Sequence, residues 1–474
     1  MKARSPLFHD ITIKIAKVIN IALMTLPFIY AWYTYYADEL WVKFAMRGHW
    51  LVIGLYVFLY IMIGRVYEAF KISYNSISEM VYSQVLTLFE VNVIMYIVAW
   101  LLIRRLPNVL PVLGVFILQI LFSIIWCHWA QWWYYKTFPA NKTVVVWDMR
   151  EGVEKLIEEY KLSKKFKVTA TVPAADCLEQ LSLLDGADTV FLFGVHSHDR
   201  NIIVKYCLMH NISAYLVPRV GDLILSASKR DHLFHLPLLS VSRAHPYFEY
   251  QITKRLGDIL LSLIAAVVLS PVMLVTAICI KCEDHGPVIY KQTRLTKDGK
   301  EFQIYKFRSM RTDAEKDGIA RLSTGDADDR ITKTGRFIRK VRIDELPQLF
   351  NILKGDLSIV GPRAERPEIA TEYEKTLPEF ALRLQVKAGL TGYAQVYGKY
   401  NTTPYDKLLM DLMYISNANI LEDIRIIFAT VKILFMPEST EGVDVGQVTA
   451  LDYHNGIISP SNCNVANDYG ENEE

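Results

Sequence analysis

The chain has 474 residues, 52% of them hydrophobic, and a positive mean hydropathy, too apolar for an ordinary soluble enzyme of this length. Fifty-two Lys and Arg against 50 Asp and Glu leave a formal net charge of +2, which removes any global electrostatic motive for a nucleic-acid partner, and none is expected. Six cysteines, at 127, 177, 207, 279, 282 and 463, are too sparse for a disulfide scaffold, and the C-x-x-C of Cys279 and Cys282 ends an apolar run instead of framing a metal site.

The first apolar run, 18–36, is rich in tyrosine and lacks the small-residue cleavage site of a signal peptide, so it reads as a retained membrane span. Three more follow at 51–63, 85–103 and 109–126, which makes 1–140 a domain of four transmembrane helices. Trp32, Tyr33, Trp41, Trp50, Trp129, Trp132 and Trp133 cluster at their ends as an interfacial aromatic belt does. Lys2, Arg4, Lys14, Lys17, Arg65, Lys71, Lys136 and Lys142 outnumber Lys43, Arg47, Arg104 and Arg105, an excess that puts both ends of this domain in the cytosol. Everything after Lys142 is then expected on the cytoplasmic face.

From 141 to 221 strand and helix patterns alternate. The runs TVVVWD, KVTATV, TVFLFGV and SAYLVP read as strands, with helices at 152–160 and 202–210, and imply a small parallel, Rossmann-like α/β module. No G-x-G-x-x-G follows its first strand, so the backbone has no evident approach to a pyrophosphate; a structural or regulatory role is expected, with ligand binding as the alternative. His196, His198 and His210 read as loop or surface residues for want of a matching ligand set.

Residues 222–249 read as a linker. The following segment, 254–282, is long enough to span a bilayer, but Ser270 and Pro271 interrupt it and Lys254, Arg255 and Lys281 make both ends basic. A re-entrant helix returning to the same face and a kinked span both fit. The first requires the freed backbone groups to find partners, Ser270 among the candidates.

Beyond it, residues suited to anions gather: Lys306 and Arg308 in IYKFRSM, then Arg336, Arg339, Lys340 and Arg342 before RIDELPQLFN. A basic run is ordinarily a solvated or headgroup-facing surface, and Asp344 by itself is a good helix N-cap, with Pro347 at the third helical position. Yet arginines converging on a helix start that carries Asp344 and Glu345 also describe a phosphate site with a divalent cation, since Mg²⁺ takes carboxylate and phosphate oxygens together. Adjacent acids cannot flank a sugar from opposite sides as glycosidase carboxylates do; they suit attack on phosphorus by one while the other binds metal or moves a proton. The Gly361–Pro362 corner displays Arg363, and KAGLTGYAQV supplies a glycine-punctuated loop with Thr391, Tyr393 and Gln395, suited to a nucleotide or ribose.

The ordered series KRLGDILLS, the Ser-Pro break, GPVIYKQTRLTKDGKEFQIYKFRSM, RITKTGRFIRKVRIDELPQLFNILKGDLSIVGPR and KAGLTGYAQV resembles the bacterial sugar transferase family, the polyprenyl-phosphate hexose-1-phosphate transferases, over about 250–437. With the preceding spans and module, the chain resembles the large monotopic form that initiates exopolysaccharide or capsule synthesis. The resemblance implies a mainly helical catalytic domain at 250–437 with a re-entrant helix, on the cytoplasmic face of a bacterial inner membrane. It implies transfer of a hexose phosphate from a UDP-sugar, with glucose or galactose as the guess, to undecaprenyl phosphate through a covalent aspartyl intermediate, with Mg²⁺ as cofactor. By motif, Asp344 matches the nucleophile and Glu345 its metal-binding partner, Asp344 joining it at the metal. Arg339 and Arg363 match phosphate-binding arginines, and Ser270 and Pro271 match the membrane break. Lys306, Arg308, Thr391 and Gln395 complete the expected nucleotide-sugar site.

Ala364, Ala388 and Lys399 depart from the family's usual residues, two prolines and an arginine. Membrane lipids are expected partners, and the additional module is compatible with a homodimer. The rival functions are a metal-dependent lipid phosphatase and a non-catalytic scaffold for polysaccharide assembly. The polar tail at 438–474 is expected to be disordered.

Overall fold

The computed structural model describes residues 6–44, 46–149, 152–233, 235–243, 247–311, 330–398 and 402–434, so Lys399 and the tail at 438–474 lie outside the described residues. The chain divides into two units, Met1–Leu216 and Val217–Glu474.

In the first unit, α1 (Pro6–Ala31) runs on through a π turn at Trp32–Tyr36 and a 3-10 turn at Ala37–Glu39, and is followed by α2 (Met46–Val66), α3 (Ile77–Ile103) and α4 (Leu110–Thr137). All four are long and apolar enough to cross a membrane, as expected. They exceed the apolar runs because polar flanks continue the helices. Ser76 starts α3 with a capping box: its Oγ accepts from Glu79 N, and Glu79 accepts from Ser76 N. Polar residues inside the bundle satisfy one another. Tyr60 donates to Asn20 at 2.6 Å, Ser123 donates to Gln84 at 2.7 Å, and Gln119 accepts from Asn92 at 2.8 Å while donating to the Tyr56 hydroxyl at 2.7 Å. Gln119 and Gln84 also donate to the Met24 and Ala69 carbonyls, and in apolar surroundings such contacts make the helix packing specific.

The α/β module follows with β1 (Asn141–Trp147), α5 (Val153–Glu159), β2 (Phe166–Pro173), α6 (Ala174–Glu179), β3 (Thr189–Phe193), α7 (Ser197–Met209) and β4 (Ser213–Leu216). The four strands are parallel in the order β2-β1-β3-β4. Central β1 is buried from Thr143 to Val146, which explains its continuous apolar run. His196 and His198 are exposed and His210 stacks on Tyr206 at 4.0 Å, so the three histidines serve separate surroundings.

The second unit begins with a correction. The stretch read as a linker carries α8 (Val220–Ser226) and a hairpin of β5 (Lys229–Leu233) and β6 (Leu236–Ser240). Leu223 of α8 enters the core with Leu408 and Leu412. The elements are too short to show periodicity, and both hairpin strands are exposed throughout, so no alternation marks them.

Next, α9 (Phe248–Val268) and α10 (Ser270–Asp284) meet at the expected break with a 60° bend. Pro271 stands in the first turn of α10, where its missing N–H has no helical partner to lose, and the Ser270 hydroxyl donates to the Val267 carbonyl at 2.7 Å. The basic start of α9 is more than a flank. Arg255 donates to the carbonyls of Ile352 and Leu353 at 2.7 and 2.9 Å, Asp258 accepts from Ser358 Oγ at 2.7 Å and Ile359 N at 3.2 Å, and Lys254 pairs with Asp423 at 2.8 Å.

The rest is mainly helical, as expected: an antiparallel hairpin of β7 (Ile289–Leu295) and β8 (Glu301–Phe307), then α11 (Lys333–Lys340), α12 (Gln348–Lys354), β9 (Ser358–Val360), α13 (Pro367–Thr376), β10 (Gly389–Thr391), α14 (Tyr393–Tyr397), α15 (Pro404–Ser416) and α16 (Ile420–Leu434). β9 and β10 pair in parallel. One core joins Ala370 and Tyr373 of α13, Leu408 and Leu412 of α15 and Ile426 of α16, while Leu421 of α16 faces outward. A second core sets Phe302 and Ile304 of β8 against Leu349 and Ile352 of α12.

Candidate active site

The acidic pair does not cap a helix. Arg342 takes a left-handed conformation, φ 56° and ψ 24°, ending α11 and turning the chain into a 3-10 turn at Ile343–Glu345 that carries both acids. The residue at the N-cap of α12 is Pro347, and the N–H groups of Leu346, Leu349 and Phe350 are used within this turn sequence. Those three N–H groups are therefore not free to hold an anion, and the positive charges acting on the pair come from side chains.

Two anchors position the turn. Asn351 of α12 is fully buried; its side chain accepts from Tyr305 N at 2.9 Å and donates to the Gln303 carbonyl at 2.8 Å, locking α12 onto the edge of β8. That docking brings Lys306 of β8 to Glu345, Nζ to Oε1, at 3.0 Å. On the other side Gly335 of α11 lies against the Ser309 carbonyl, where an added Cβ would stand 1.9 Å from the oxygen, and the Glu283 carboxylate accepts from the Lys333 and Thr334 N–H groups. α11 is thus held close to the chain leaving β8, with Arg339 in its last turn.

The two acids are driven apart in acidity. Burial, with the adjacent Glu345 charge, pushes Asp344 above the ordinary carboxylate range against Lys306, Arg339 and Arg342. Burial also works to raise Glu345, but Lys306, Arg363 and Arg342 outweigh it and hold Glu345 below that range. One acid is kept ionised beside cations while its neighbour sits in a less favourable place for charge. Pairs separated in this way commonly divide the labour of a reaction.

Arg339 acts electrostatically on Asp344, and Arg363 on Glu345. Lys306 is engaged with Glu345. Arg308 is buried and packs on Gly286, whose missing side chain makes room for its guanidinium. Thr391 is buried at the end of β10 with its hydroxyl bonded to that of Thr430 at 2.6 Å, and Gln395 donates to the Leu390 carbonyl while its buried Oε1 has no hydrogen-bond partner among the described residues. Sequence reasoning missed Asn351, although it ends the same RIDELPQLFN stretch. Only its burial between strand and helix gives it a task.

Among the described residues no three His, Cys, Asp or Glu side chains gather to hold a metal ion. Asp344 and Glu345 remain as a two-carboxylate donor set, the number magnesium takes from protein when phosphate oxygens and water complete its shell, so the residues fit that ion in the presence of a phosphate ligand.

Comparison with known proteins places these residues in a family. The family model described as bacterial sugar transferase matches 249–437. An exopolysaccharide production protein of Rhizobium leguminosarum bv. phaseoli is 42% identical over 189 residues, 38% of this chain and 94% of the relative. A UDP-N-acetylgalactosamine-undecaprenyl-phosphate N-acetylgalactosaminephosphotransferase of Aeromonas hydrophila is 38% identical over 229 residues, 48% of this chain and 53% of its own. A UDP-glucose:undecaprenyl-phosphate glucose-1-phosphate transferase of Klebsiella pneumoniae is 34% identical over 224 residues, 46% and 48% respectively. The chain therefore spans about half the length of these last two relatives and nearly all of the first. The match covers α9 through α16 with Asp344 and Glu345 inside it, and the chain belongs to the bacterial sugar transferase family.

Proposed function

We propose that the protein transfers a hexose-1-phosphate from a UDP-sugar to undecaprenyl phosphate, as the first membrane step of exopolysaccharide or capsule synthesis. The observation that carries this reading is the Asp344–Glu345 pair, displaced in opposite directions and ringed by Lys306, Arg339, Arg342 and Arg363. In the first step an ionised Asp344 oxygen attacks the sugar-linked phosphorus, the bond from that phosphorus to the bridging oxygen breaks, and UMP leaves with the electron pair. In the second, an oxygen of undecaprenyl phosphate attacks the same phosphorus and the Asp344 carboxylate departs, giving undecaprenyl-diphospho-sugar.

Arg339 and Arg363 hold phosphate oxygens, Lys306 keeps Glu345 ionised, and Gln395 contributes to the nucleotide end. Glu345 and Asp344 would hold magnesium, which when bound would supply charge neutralisation for phosphoryl transfer. The relatives named above differ in their sugar, N-acetylgalactosamine in one and glucose in the other; a UDP-hexose, glucose or galactose, is the donor proposed here. The bent pair α9–α10 is proposed to enter and leave the cytoplasmic leaflet of the inner membrane, which puts the site at headgroup level where a soluble nucleotide and a lipid phosphate meet.

The test offers a labelled UDP-sugar, undecaprenyl phosphate and Mg²⁺ to purified protein and to Asp344→Asn. UMP release and lipid-linked label are both expected to fall by at least about a thousandfold in the variant. Normal turnover by Asn would remove Asp344 as nucleophile. Release of inorganic phosphate without sugar-lipid would identify a phosphatase, and no turnover of any of these substrates by the unaltered protein would favour a scaffold.

A further inference from the structure

We propose that Arg383 is a positioning residue of this enzyme, which sets the Arg363 side chain by holding the main chain beneath it; this rests on the phosphate role proposed for Arg363. The corner that displays Arg363 is fixed on its N-terminal side by backbone alone. Gly361 N donates to the Thr391 carbonyl at 2.9 Å, Gly389 N donates to the Pro362 carbonyl at 2.8 Å, and a Cβ on Gly361 would stand 2.3 Å from the Lys387 carbonyl. From Arg363 onward, two arginines from distant parts of the unit take over. Arg383 Nη2 donates to the Arg363 carbonyl at 3.0 Å, and Arg294 Nη1 donates to the Ala364 carbonyl at 3.0 Å.

Each guanidinium is itself held. Arg383, 3% exposed, pairs with Asp411 at 2.7 Å and with Glu365 at 3.6 Å, and packs over the Phe380 ring at 4.8 Å. Glu365 reaches Arg294 on its other side at 4.0 Å, and its carbonyl accepts from Leu295 N at 2.9 Å. The result is a chain of charges, Arg294–Glu365–Arg383–Asp411, buried at Arg383 and Asp411 and half-buried at the other two, gripping two successive carbonyls. Taking these charges out of water is costly, and apolar residues of similar volume commonly serve core stability as well or better. What the charges supply is direction. The planar guanidinium holds one nitrogen, Nη2, against the Arg363 carbonyl with the Asp411 carboxylate 2.7 Å from the same atom, a placement that a lysine ammonium on a flexible stem does not reproduce.

The Arg363 charge in turn acts on Glu345 of the acidic pair and on Glu365 of this chain of charges, so the corner it sits on is electrostatically linked to both. A small rotation of this corner would move its guanidinium relative to Asp344, and misplacement by about 1 Å is enough to cost roughly a hundredfold in rate.

The test is a double-mutant cycle on the full-length, membrane-extracted protein, with UMP release as readout and thermal unfolding of each variant as the control for folding. Arg383→Lys keeps the charge but loses the planar group that fixes the position of the donor, and Arg383→Gln keeps a donor without charge. Each is expected to lower kcat/KM for the UDP-sugar roughly tenfold to a hundredfold. In an Arg363→Ala background the same substitutions are expected to cost nothing further, because the group they position is gone. If the loss is as large in that background, or if Arg383→Lys keeps full activity, the proposal is overturned. Should Arg383→Gln fail to fold, the Arg383→Lys cycle decides alone. An Arg363→Ala enzyme with unaltered kinetics would instead refute the phosphate role of Arg363, a separate failure with a separate signature.

Discussion

In the proposed mechanism Asp344 acts only as an anion, yet the fold resists its ionisation. Burial first, and the neighbouring Glu345 charge second, raise its pKa, so the carboxylate form is lost as pH falls through a value above the ordinary aspartate pKa of about 3.9. Removing each neighbour should move that acid limb in a known direction. Glu345→Gln deletes a raising charge and shifts the limb of the kcat/KM profile for UMP release to lower pH. Arg339→Gln deletes a lowering charge and shifts it to higher pH, whatever either change does to the plateau. Limbs that stay in place in both variants would show that another group controls the profile. Adjacency of the acids was legible in RIDELPQLFN, but their opposite environments were not, because Lys306 and Arg363 arrive from 39 residues before Glu345 and 18 after it.

The elements show the same division. A Ser-Pro pair inside an apolar run announces a break on its own, since proline removes a helical donor wherever it stands, and the 60° bend between α9 and α10 follows. Whether that bend returns the chain to one face can be measured on native cysteines. Cys279 and Cys282 are exposed on α10, whereas Cys127, Cys177 and Cys207 are buried. An impermeant maleimide should label the α10 pair only from the cytoplasmic side, in inside-out vesicles and not in intact spheroplasts. Labelling from the outside alone would establish a crossing helix, and Ser270→Ala with Pro271→Ala should increase outside labelling if the break enforces the return. The start of α12 was misread for a specific reason. Asp before a proline and an apolar run is good N-cap grammar, but the left-handed Arg342 redirects the chain one turn earlier and puts both acids on a 3-10 turn. α8 escaped notice because seven residues make barely two helical turns, and the β5–β6 hairpin because both strands are exposed throughout and show no alternation.

At the scale of the molecule, the family model matches within the second unit, and the Rhizobium relative aligns over 94% of its length with only 38% of this chain. The second unit has its own cores, around Leu408 and Ile426 and around Ile352 and Phe302. A protein beginning at Val217 should therefore remain membrane-associated through α9 and α10 and release UMP with kcat within about tenfold of the full chain, read in the same labelled-donor assay. Loss of all activity from a folded, membrane-bound truncation would mean that the first unit takes part in turnover. The α/β module keeps the parallel topology its alternation foretold, four strands around a buried β1, without the glycine fingerprint for a dinucleotide.

The sequence by itself determined what depends on neighbours along the chain: four long apolar helices, alternating strands and helices, a proline break, and an ordered motif series that names the family. These rest on periodicity and on single-residue stereochemistry, which need no fold to act. Tertiary structure decided which charges meet. Arg383 stands 20 residues from Arg363, and Asp411 lies within an otherwise apolar LLMDLMYI run, where a lone acid was the only local hint of a buried partner. Asn351 became an anchor only once β8 lay beside it. Burial and electrostatic coupling depend on distance in space, and that distance is set when the helices pack.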